Sequence, residues 1–402
     1  MERASILNLN AGPSSLPLPV LEQAAKGLLN YEGTGMGITE ISHRSPEFKS
    51  LTLALADAIR TLLALPPTHD VLFAQGGASL EFSAIPLNLL ARYRLLNPDV
   101  PLGDICADYI ITGGWSKRAH EEAKRMVGSL GVNVNIAADA RKESADGKAF
   151  TCVPPYESYK FSEKRRTAWI YYCENETVHG VQFASSQATT TAFPLDLATH
   201  PTATTAAEFS SAQTPNAEQI EREQPSINPP VIADFSSSFL SRPIPHIERY
   251  GLIYGGAQKN IGPAGLTILI VRKDLLVDVD AANANLGCPP VPLTLSFKVM
   301  ADNGSLYNTP PMFPMYVSLL VLRDLAETKG ALQGIEETNY AKQELVYTAL
   351  DKMERTGLIK INVKPGSRSW MNLTFVFRDP EAEKKFVQEA EGKGMRGVKG
   401  HR

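Results

Sequence analysis

The chain repeats one local plan twice: a short apolar run, a Gly-Gly turn and then a helical pattern. The first copy starts at Asp70 with "DVLFAQGG" and continues with "SLEFSAIPLNLLARY", where Ser79 is a candidate N-cap. The second copy is "DYIITGGWSKRAHEEAKRM". Strands that alternate with helices predict an α/β fold with a mostly parallel sheet covered on both faces. Ligands bind such sheets at the carboxyl ends of the strands, which is where the glycine turns fall.

Further apolar runs add strands to this predicted sheet. They are "AWIYYC", "PPVIAD", "YGLIYGG" and "LTILIVRKDLL". The last opens with a nearly continuous apolar run, as expected of a strand buried on both faces.

Two stretches depart from the alternation. Ser, Thr, Ala, Gln and Pro dominate 184–230, which predicts a surface insertion, partly disordered, between two core strands. After about Pro289 the pattern changes to one or two long helices, a strand in "SRSWMNLTFVFRD" and a helix in "PEAEKKFVQEAEGKG". We therefore expect a large domain over 18–288 and a smaller α+β domain built from 1–17 and 289–402.

Composition narrows the class of protein. The 402 residues are 43% hydrophobic and carry a net charge of -3, which suits two folded domains and gives no indication of a nucleic-acid or membrane partner. No apolar run reaches the roughly 18 residues of a membrane span, and we see no signal peptide, so we expect a cytoplasmic protein. The four cysteines show neither CxxC nor metal-ligand spacing, which favours reduced thiols and no metal site.

Lys259 stands out because it lies in the nearly uncharged segment "YGGAQKNIGPAG". Poor solvation of an ammonium there would lower the lysine pKa and raise its nucleophilicity. Asp234, at the end of "PVIAD", is its candidate partner. The pair is open to two interpretations: a plain ion pair, or the lysine and ring-nitrogen partner of a pyridoxal phosphate enzyme.

Other candidate residues surround this pair at the strand ends. The turn "QGGAS" runs into a helix start, where N–H groups and the helix dipole favour a phosphate, although such turns also occur without a ligand. It is not the GxGxxG of a dinucleotide site. Trp115 follows the second Gly-Gly turn and suits either a core position or a ring stack. His43 and Arg44 suit an anionic group or a solvated surface.

Taken together, these segments resemble the phosphoserine aminotransferases, pyridoxal phosphate enzymes of fold type I. The resemblance covers nearly the whole chain except 184–230, and its most specific pieces are "GAQKNIGPAG" and "NTPP". It also runs through "NLNAGPSSLP", "GITEISHRSPEF", "AQGGASLEFSAIPLNLL", "YIITGGWSKRAHEEAK", "YYCENETVHG", "IADFSSSFLSRPI" and "GVKGHR".

The resemblance implies a role for each candidate residue. Lys259 forms the Schiff base with pyridoxal 5'-phosphate, Asp234 pairs with the ring nitrogen, Trp115 stacks on the ring, and Thr177 lies near the ring hydroxyl. The cofactor phosphate meets Ala78, Ser79 and Gln258, and from the partner subunit Asn308 and Thr309. The substrate phosphate or carboxylate meets His43, Arg44, His401 and Arg402.

The implied activity is transfer of the amino group of glutamate to 3-phosphohydroxypyruvate, with Lys259 as base and then acid, in a homodimer with sites at the interface. Bacterial members often carry an arginine where this chain has Ser79. The resemblance stops at "KGHR", ahead of a Gly-Gly-x-Arg segment, so we expect cofactor binding with weak transamination. The alternatives are another aminotransferase, a desulfurase with a catalytic cysteine, and a silent cofactor-binding homologue.

Overall fold

The computed structural model describes residues 2–186, 189–200, 202–211, 228–328 and 330–400. Within them the chain forms short 3-10 turns, helices and strands. The strands are β1 (Leu7–Asn8), β2 (His69–Ala74), β3 (Cys106–Ile111), β4 (Asn133–Asp139), β5 (Thr167–Cys173), β6 (Asn175–Glu176), β7 (Val181–Gln182), β8 (Val231–Asp234), β9 (Tyr250–Gly256), β10 (Thr267–Arg272), β11 (Ile359–Lys360), β12 (Val376–Phe377) and β13 (Met395–Arg396).

Helices precede, connect and follow these strands in the described ranges. They are α1 (Leu18–Leu29), α2 (Pro46–Leu62), α3 (Gly77–Leu96), α4 (Gly114–Met126), α5 (Leu195–Thr199), α6 (Ala206–Ser211), α7 (Val279–Leu286), α8 (Phe297–Asp302), α9 (Met312–Thr328), α10 (Ala331–Arg355) and α11 (Pro380–Gly392). Among the helices of the described residues, none is long and apolar enough to cross a membrane.

A seven-stranded sheet in the order β2-β10-β9-β8-β5-β3-β4 forms the centre of the fold. Strand β10 is antiparallel to both of its neighbours, β2 and β9. The remaining neighbours in the sheet pair in parallel. The predicted α/β fold with a mostly parallel sheet is confirmed. Because the parallel strands share one direction, their carboxyl ends meet at one edge.

The two faces of the sheet pack into separate apolar clusters. Side chains on one face, including Ile232 of β8 and Tyr254 of β9, pack with α3, while Ala233 and Ile253 pack on the opposite face. Side chains alternate along a strand, so Asp234 shares the face of Ile232. The carboxyl of Asp234 is thereby directed toward the side of the sheet that α3 covers.

Helix α3 begins earlier than predicted. Ser79 lies in the first turn, and the N-cap is Gly76, so the assignment of Ser79 as N-cap is wrong. Gly76 and Gly77 have φ values of +90° and +62°, a conformation that glycine adopts without strain. These two glycines turn the chain from β2 straight into the helix.

The segment 184–230 is partly core and not only surface. Phe193, Leu195 and Leu197 are buried in the larger apolar cluster, so the prediction of a surface insertion is wrong at these positions. A stretch that is rich in Ser and Thr can still bury a few well-placed apolar side chains. Positions 187–188, 201 and 212–227 lie outside the described residues, and so does the prediction of disorder there.

The C-terminal third contains the two long helices α9 and α10 and the helix α11, as predicted. Of "SRSWMNLTFVFRD" only β12 forms a strand, which pairs with β11. Strand β1 pairs in parallel with β13, bringing the N-terminal residues against the C-terminal segment. The domain bounds of 18–288 and 289–402 stay a prediction.

Candidate active site

Asp234 ends β8 at the edge where the parallel strands terminate. It is 3% exposed, and its Oδ1 accepts hydrogen bonds from Ser236 N at 2.9 Å and Ser236 Oγ at 2.6 Å. Burial raises the pKa of Asp234, while the Ser236 hydrogen bonds and the charge of Lys259 oppose that rise. A buried carboxyl at a strand end is suited to pairing with a cationic or N–H group.

Lys259 lies in the turn that follows β9. The side chain is half-buried, and Nζ donates to the carbonyl of Ala11 at 2.8 Å. Burial lowers the pKa of Lys259, and the charge of Asp234 opposes that change. The structure thus provides the poorly solvated amine that the sequence predicts, with the carboxyl of Asp234 close enough to act on it electrostatically.

The N-terminal segment 11–14 covers Lys259. Ser14 N donates to Gln258 O at 3.0 Å, and Ser14 Oγ donates to the carbonyl of Lys259. A Cβ on Gly12 would lie 2.5 Å from Cδ of Lys259, so a larger residue there would displace the lysine side chain and would also be strained by the φ of +136°. Sequence reasoning gave these residues no role, although "NAGPSS" is a run of small residues of the kind that allows close approach.

Replacing Gly12 by alanine should destabilise the fold more than an ordinary loop substitution. The φ of Gly12 is +136°, and the new Cβ would overlap the Lys259 side chain. We expect the free energy of unfolding to fall by about 1–3 kcal/mol in denaturant titrations. Gly35→Ala is the matched control, because Gly35 also has a positive φ, +77°, but a Cβ there meets nothing within 4 Å. Equal losses in the two variants would contradict the close contact with Lys259.

The two Gly-Gly turns lead to helix starts that differ in whether their N–H groups already donate to a side chain of the protein. At α4, the N–H groups of Trp115 and Ser116 donate to the carboxylate of Glu176 at 2.9 and 2.8 Å. At α3, Ala78 and Ser79 lie in the first turn, where a helix offers its N–H groups no internal acceptor. Of the two helix starts, α3 is therefore the one suited to a phosphate.

Three further residues that the resemblance assigns to the cofactor lie near these elements. Trp115 is half-buried, with Cζ of Arg118 5.0 Å from the centre of its ring. Thr177 is half-buried directly after β6, and Gln258 is half-buried directly before Lys259. All three residues follow strands that end at the edge of the sheet where Asp234 lies.

The predicted substrate and partner-subunit residues are only partly brought together. Thr309 Oγ1 lies 3.2 Å from His43 Nδ1, and the Thr309 carbonyl accepts from Gln75 Nε2 at 3.1 Å. His43 Nε2 is buried without a hydrogen-bond partner, while Arg44 and Asn308 are exposed. His401 and Arg402 lie outside the described residues.

Glu81, one turn into α3, is a buried carboxyl that the sequence reasoning missed. It is 1% exposed, and its Oε2 has no hydrogen-bond partner. Burial, with a contribution from the charge of Asp234, raises the pKa of Glu81 to about 8. Glu81 is therefore held in the neutral form at neutral pH.

Glu81→Gln should stabilise the cofactor-free protein above neutral pH. The folded pKa of about 8 lies above the ordinary value of 4.5, so the stability contributed by protonated Glu81 is present below pH 4.5 and lost as pH rises through 8. Glutamine does not titrate, so its advantage should grow to about 1–3 kcal/mol at pH 8.5. Denaturant unfolding at pH 5, 7 and 8.5 measures the difference in unfolding free energy between Glu81→Gln and the wild type. Glu121→Gln, at an exposed position, is the control. A pH-independent difference would contradict the assignment.

The cysteines do not support desulfurase chemistry. Cys173 ends β5 beside the site, but burial raises its pKa well above the usual range, and burial also raises the pKa of Cys288 to about 11. A desulfurase needs a reactive thiolate, which a raised pKa disfavours. Within the described residues, no cluster of His, Cys, Asp and Glu could hold a metal ion.

The side chains that are present fit a flat, phosphorylated aldehyde cofactor. Lys259 supplies an amine of lowered pKa, and Asp234 supplies a buried acidic group. The α3 start supplies N–H groups, and a Cβ on Gly76 would lie 2.7 Å from Leu80, so this turn also requires glycine. This set of groups is the one that pyridoxal phosphate uses in proteins.

Known proteins of the same class match this chain. The family described as Aminotransferase class-V matches residues 214–402. Phosphoserine aminotransferase of Aromatoleum aromaticum is 37% identical over 397 residues, covering 99% of this chain and 90% of the relative. The Bacillus cereus phosphoserine aminotransferase is 37% identical over 402 residues, covering 100% of this chain and 91% of the relative.

Solved structures agree with the sequence matches. Phosphoserine aminotransferase from Bacillus circulans subsp. alkalophilus superposes with a TM-score of 0.75 at 32% identity, covering 98% of this chain and 89% of that one. The pyridoxal-phosphate-bound enzyme from Trichomonas vaginalis gives 0.75 at 31% identity, covering 98% and 92%. The fold and matches define a pyridoxal-phosphate-dependent transaminase of class V, which confirms the predicted cofactor and the fold of type I. The chain belongs to the phosphoserine aminotransferase family.

Proposed function

We propose that this protein transfers the amino group of glutamate to 3-phosphohydroxypyruvate, giving O-phosphoserine and 2-oxoglutarate for serine biosynthesis. The observation that carries the proposal is the buried Asp234 carboxyl set beside the half-buried Lys259 amine, in a member of this family. The full-length matches favour this transaminase over a silent cofactor-binding homologue.

Lys259 is the proposed catalytic residue. When bound, pyridoxal phosphate supplies an aldehyde that bonds to amines and a ring that accepts electrons. The lowered pKa of Lys259 leaves more of its amine uncharged at neutral pH, as a nucleophile and a base require. Lys259 Nζ takes the α-proton of glutamate and returns it during the first half-reaction, and the second half-reaction runs these proton transfers in reverse.

Asp234 is the proposed partner of the ring nitrogen. Ser236 donates two hydrogen bonds to Oδ1 and holds the carboxyl in place at the end of β8. A fixed acidic group in a buried setting keeps a protonated ring nitrogen charged, and that charge strengthens the electron-accepting character of the ring. Asp234 thereby supports the proton transfer at Lys259.

The phosphate and the faces of the ring are assigned to the surrounding elements. We assign the N–H groups of Ala78 and Ser79, together with Gln258, to the cofactor phosphate. Trp115 is assigned to the ring face and Thr177 to the ring hydroxyl. Ala78 and Ser79 lie at the start of α3, Trp115 at the start of α4, Thr177 directly after β6 and Gln258 in the turn that follows β9.

The substrate side is assigned to His43 and Arg44, together with His401 and Arg402. Both substrates carry at least two negatively charged groups, which bind best to cationic side chains and N–H donors. Because the protein as a whole has a net charge of -3, these donors have to be concentrated at the site. The unpartnered buried Nε2 of His43 supports a role for this residue as a donor to an anion.

We further propose that the protein is cytoplasmic and forms a homodimer. Asn308 and Thr309 are exposed and would reach the cofactor phosphate of the partner subunit. Within one chain Thr309 contacts His43 and Gln75, which links the "NTPP" segment to the turn before α3. Analytical ultracentrifugation measures the oligomeric state, and a fully active monomer would contradict this part of the proposal.

Two measurements test the proposed function. The purified protein with pyridoxal phosphate should absorb visible light, and borohydride should attach the cofactor irreversibly at Lys259, as peptide mass mapping reports. Glutamate and 3-phosphohydroxypyruvate should then give phosphoserine and 2-oxoglutarate in a coupled assay. A colourless protein that does not trap the cofactor would refute the proposal, and trapping without amino transfer would leave only a cofactor-binding protein.

A further inference from the structure

Glu176 is a fully buried carboxylate that joins two segments of the candidate site. Its Oε2 accepts from Trp115 N at 2.9 Å, and its Oε1 accepts from Ser116 N at 2.8 Å and from Ser116 Oγ at 2.6 Å. The side chain is 0% exposed. Charge-assisted hydrogen bonds of this kind are stronger than neutral ones, and burial shields them from water.

The carboxylate also sits at the positive end of a helix. Helix α4 starts at Gly114, so Glu176 accepts from N–H groups of its first turn and offsets the helix dipole. A Cβ on Gly113 would overlap the Glu176 carboxyl carbon, so glycine before the helix is required for this approach. Gly113 of "TGGWS" thus makes room for a carboxylate of the protein itself and not for a phosphate.

A second contact holds the same two segments together. His179 Nδ1 accepts from Gly114 N at 3.2 Å, and Gly180 N donates to the Glu176 carbonyl at 2.8 Å. Glu176 belongs to β6, which pairs with β7, and Thr177 follows it directly. The hairpin that carries Thr177 and the helix start that carries Trp115 are therefore fixed to each other mainly through Glu176.

We propose that Glu176 is a positioning residue, which holds Trp115 and Thr177 at the separation that lets both contact the cofactor ring at once. The inference rests on the proposed roles of these two residues. A group that only capped α4 would contribute to stability alone. A positioning residue also determines how tightly and in which orientation the ring is held, because rigid placement lowers the entropic cost of binding.

Glu176→Gln is the decisive variant, because it keeps the volume of the side chain. Its amide oxygen still accepts from Ser116, while its NH₂ group faces the N–H of Trp115, so the hydrogen bond to Trp115 is lost. We expect the dissociation constant for pyridoxal phosphate to rise about tenfold. We also expect the visible circular dichroism of the bound cofactor to weaken.

Asp278→Ala is the matched control. Asp278 is the exposed N-cap residue of α7, where it accepts from Asp280 N at 3.1 Å and Ala281 N at 3.0 Å, and it is not among the proposed site residues. Both variants should lose stability in denaturant, but Asp278→Ala should leave the cofactor affinity within about twofold and its circular dichroism unchanged. An equal weakening of cofactor binding in both variants would overturn the inference.

A mutant cycle separates positioning from capping. If Glu176 acts through Trp115 and Thr177, then Glu176→Gln in a background that carries both Trp115→Ala and Thr177→Ala should raise the dissociation constant by only about twofold. A full tenfold effect in that background would overturn the inference.

Near-ultraviolet circular dichroism provides a second measurement, which follows the placement of the Trp115 indole. The spectrum of Trp115→Phe is subtracted from that of the protein with Trp115, because the other tryptophans and the tyrosines absorb in the same range.

This ultraviolet signal needs no cofactor, so it distinguishes failure of the inference from failure of the proposed function. In the cofactor-free protein, Glu176→Gln should reduce the Trp115 signal because the indole loses its fixed placement. An unchanged signal would overturn the inference even in an active enzyme. A wild-type protein that binds no pyridoxal phosphate would refute the proposed function, and a reduced signal would still support the positioning of Trp115 by Glu176.

Discussion

Lys259→Ala should reduce amino transfer by at least about 10⁴-fold and abolish the trapping of the cofactor by borohydride. The variant lacks both the amine that bonds to the aldehyde and the base that moves the α-proton. Single-turnover absorbance changes with glutamate measure the first half-reaction directly. Because Lys259 is half-buried and contacts the N-terminal segment through Ala11, we expect the fold to survive the substitution.

Lys298→Ala is the control for the loss of a lysine. Lys298 lies on α8 and pairs with Asp302 on the surface at 2.8 Å, so its removal should change neither rate nor trapping. Externally added methylamine should restore part of the rate of Lys259→Ala, because a free amine can replace the missing base. A Lys259→Ala enzyme with more than a tenth of the wild-type rate would show that another group moves the proton.

Asp234→Asn should lower the rate of the first half-reaction by about 10³-fold while the cofactor still binds. The amide has nearly the shape of the carboxyl and can still accept from Ser236, but it cannot hold a protonated ring nitrogen by charge. Stopped-flow absorbance with glutamate measures the rate, and equilibrium titration measures the affinity for the cofactor.

Ser236→Ala provides the comparison for Asp234→Asn. It removes the 2.6 Å hydrogen bond to Asp234 but leaves the carboxylate, so we expect a loss of only about tenfold. If Asp234→Asn were no slower than Ser236→Ala, the charge of Asp234 would not matter to the reaction. The ring nitrogen would then have to be assigned another partner.

The sequence predicts the sheet and the central pair of residues because both depend on local pattern. Apolar runs followed by glycine turns predict the strands, and the uncharged surroundings of Lys259 predict its lowered pKa. The resemblance adds the cofactor, which the matched relatives confirm. The roles of all the site residues, those of Lys259 and Asp234 included, stay predictions.

The residues that the sequence reasoning missed act across long separations in the chain. Glu176 meets Trp115 sixty-one residues away, and no spacing rule links the two. Glu81 looks like an ordinary helix glutamate, because its burial follows from the packing of α3 against the sheet. Phe193 is buried although the segment around it is rich in Ser and Thr, so composition alone does not predict its burial. Ser79 resembles an N-cap only if Gly76 and Gly77 are assigned to a loop, whereas the helix already begins at Gly77.

The segment 11–14 has a consequence for the order in which the protein matures. During synthesis these residues leave the ribosome long before Lys259, and their contact with its amine spans 248 positions. Ordering two such distant segments against each other costs conformational entropy, so this contact depends on the folding of the chain between them. The surroundings of the Lys259 amine therefore cannot be complete until the chain has been synthesised beyond β9 and the two segments have met, so they are a property of the folded protein.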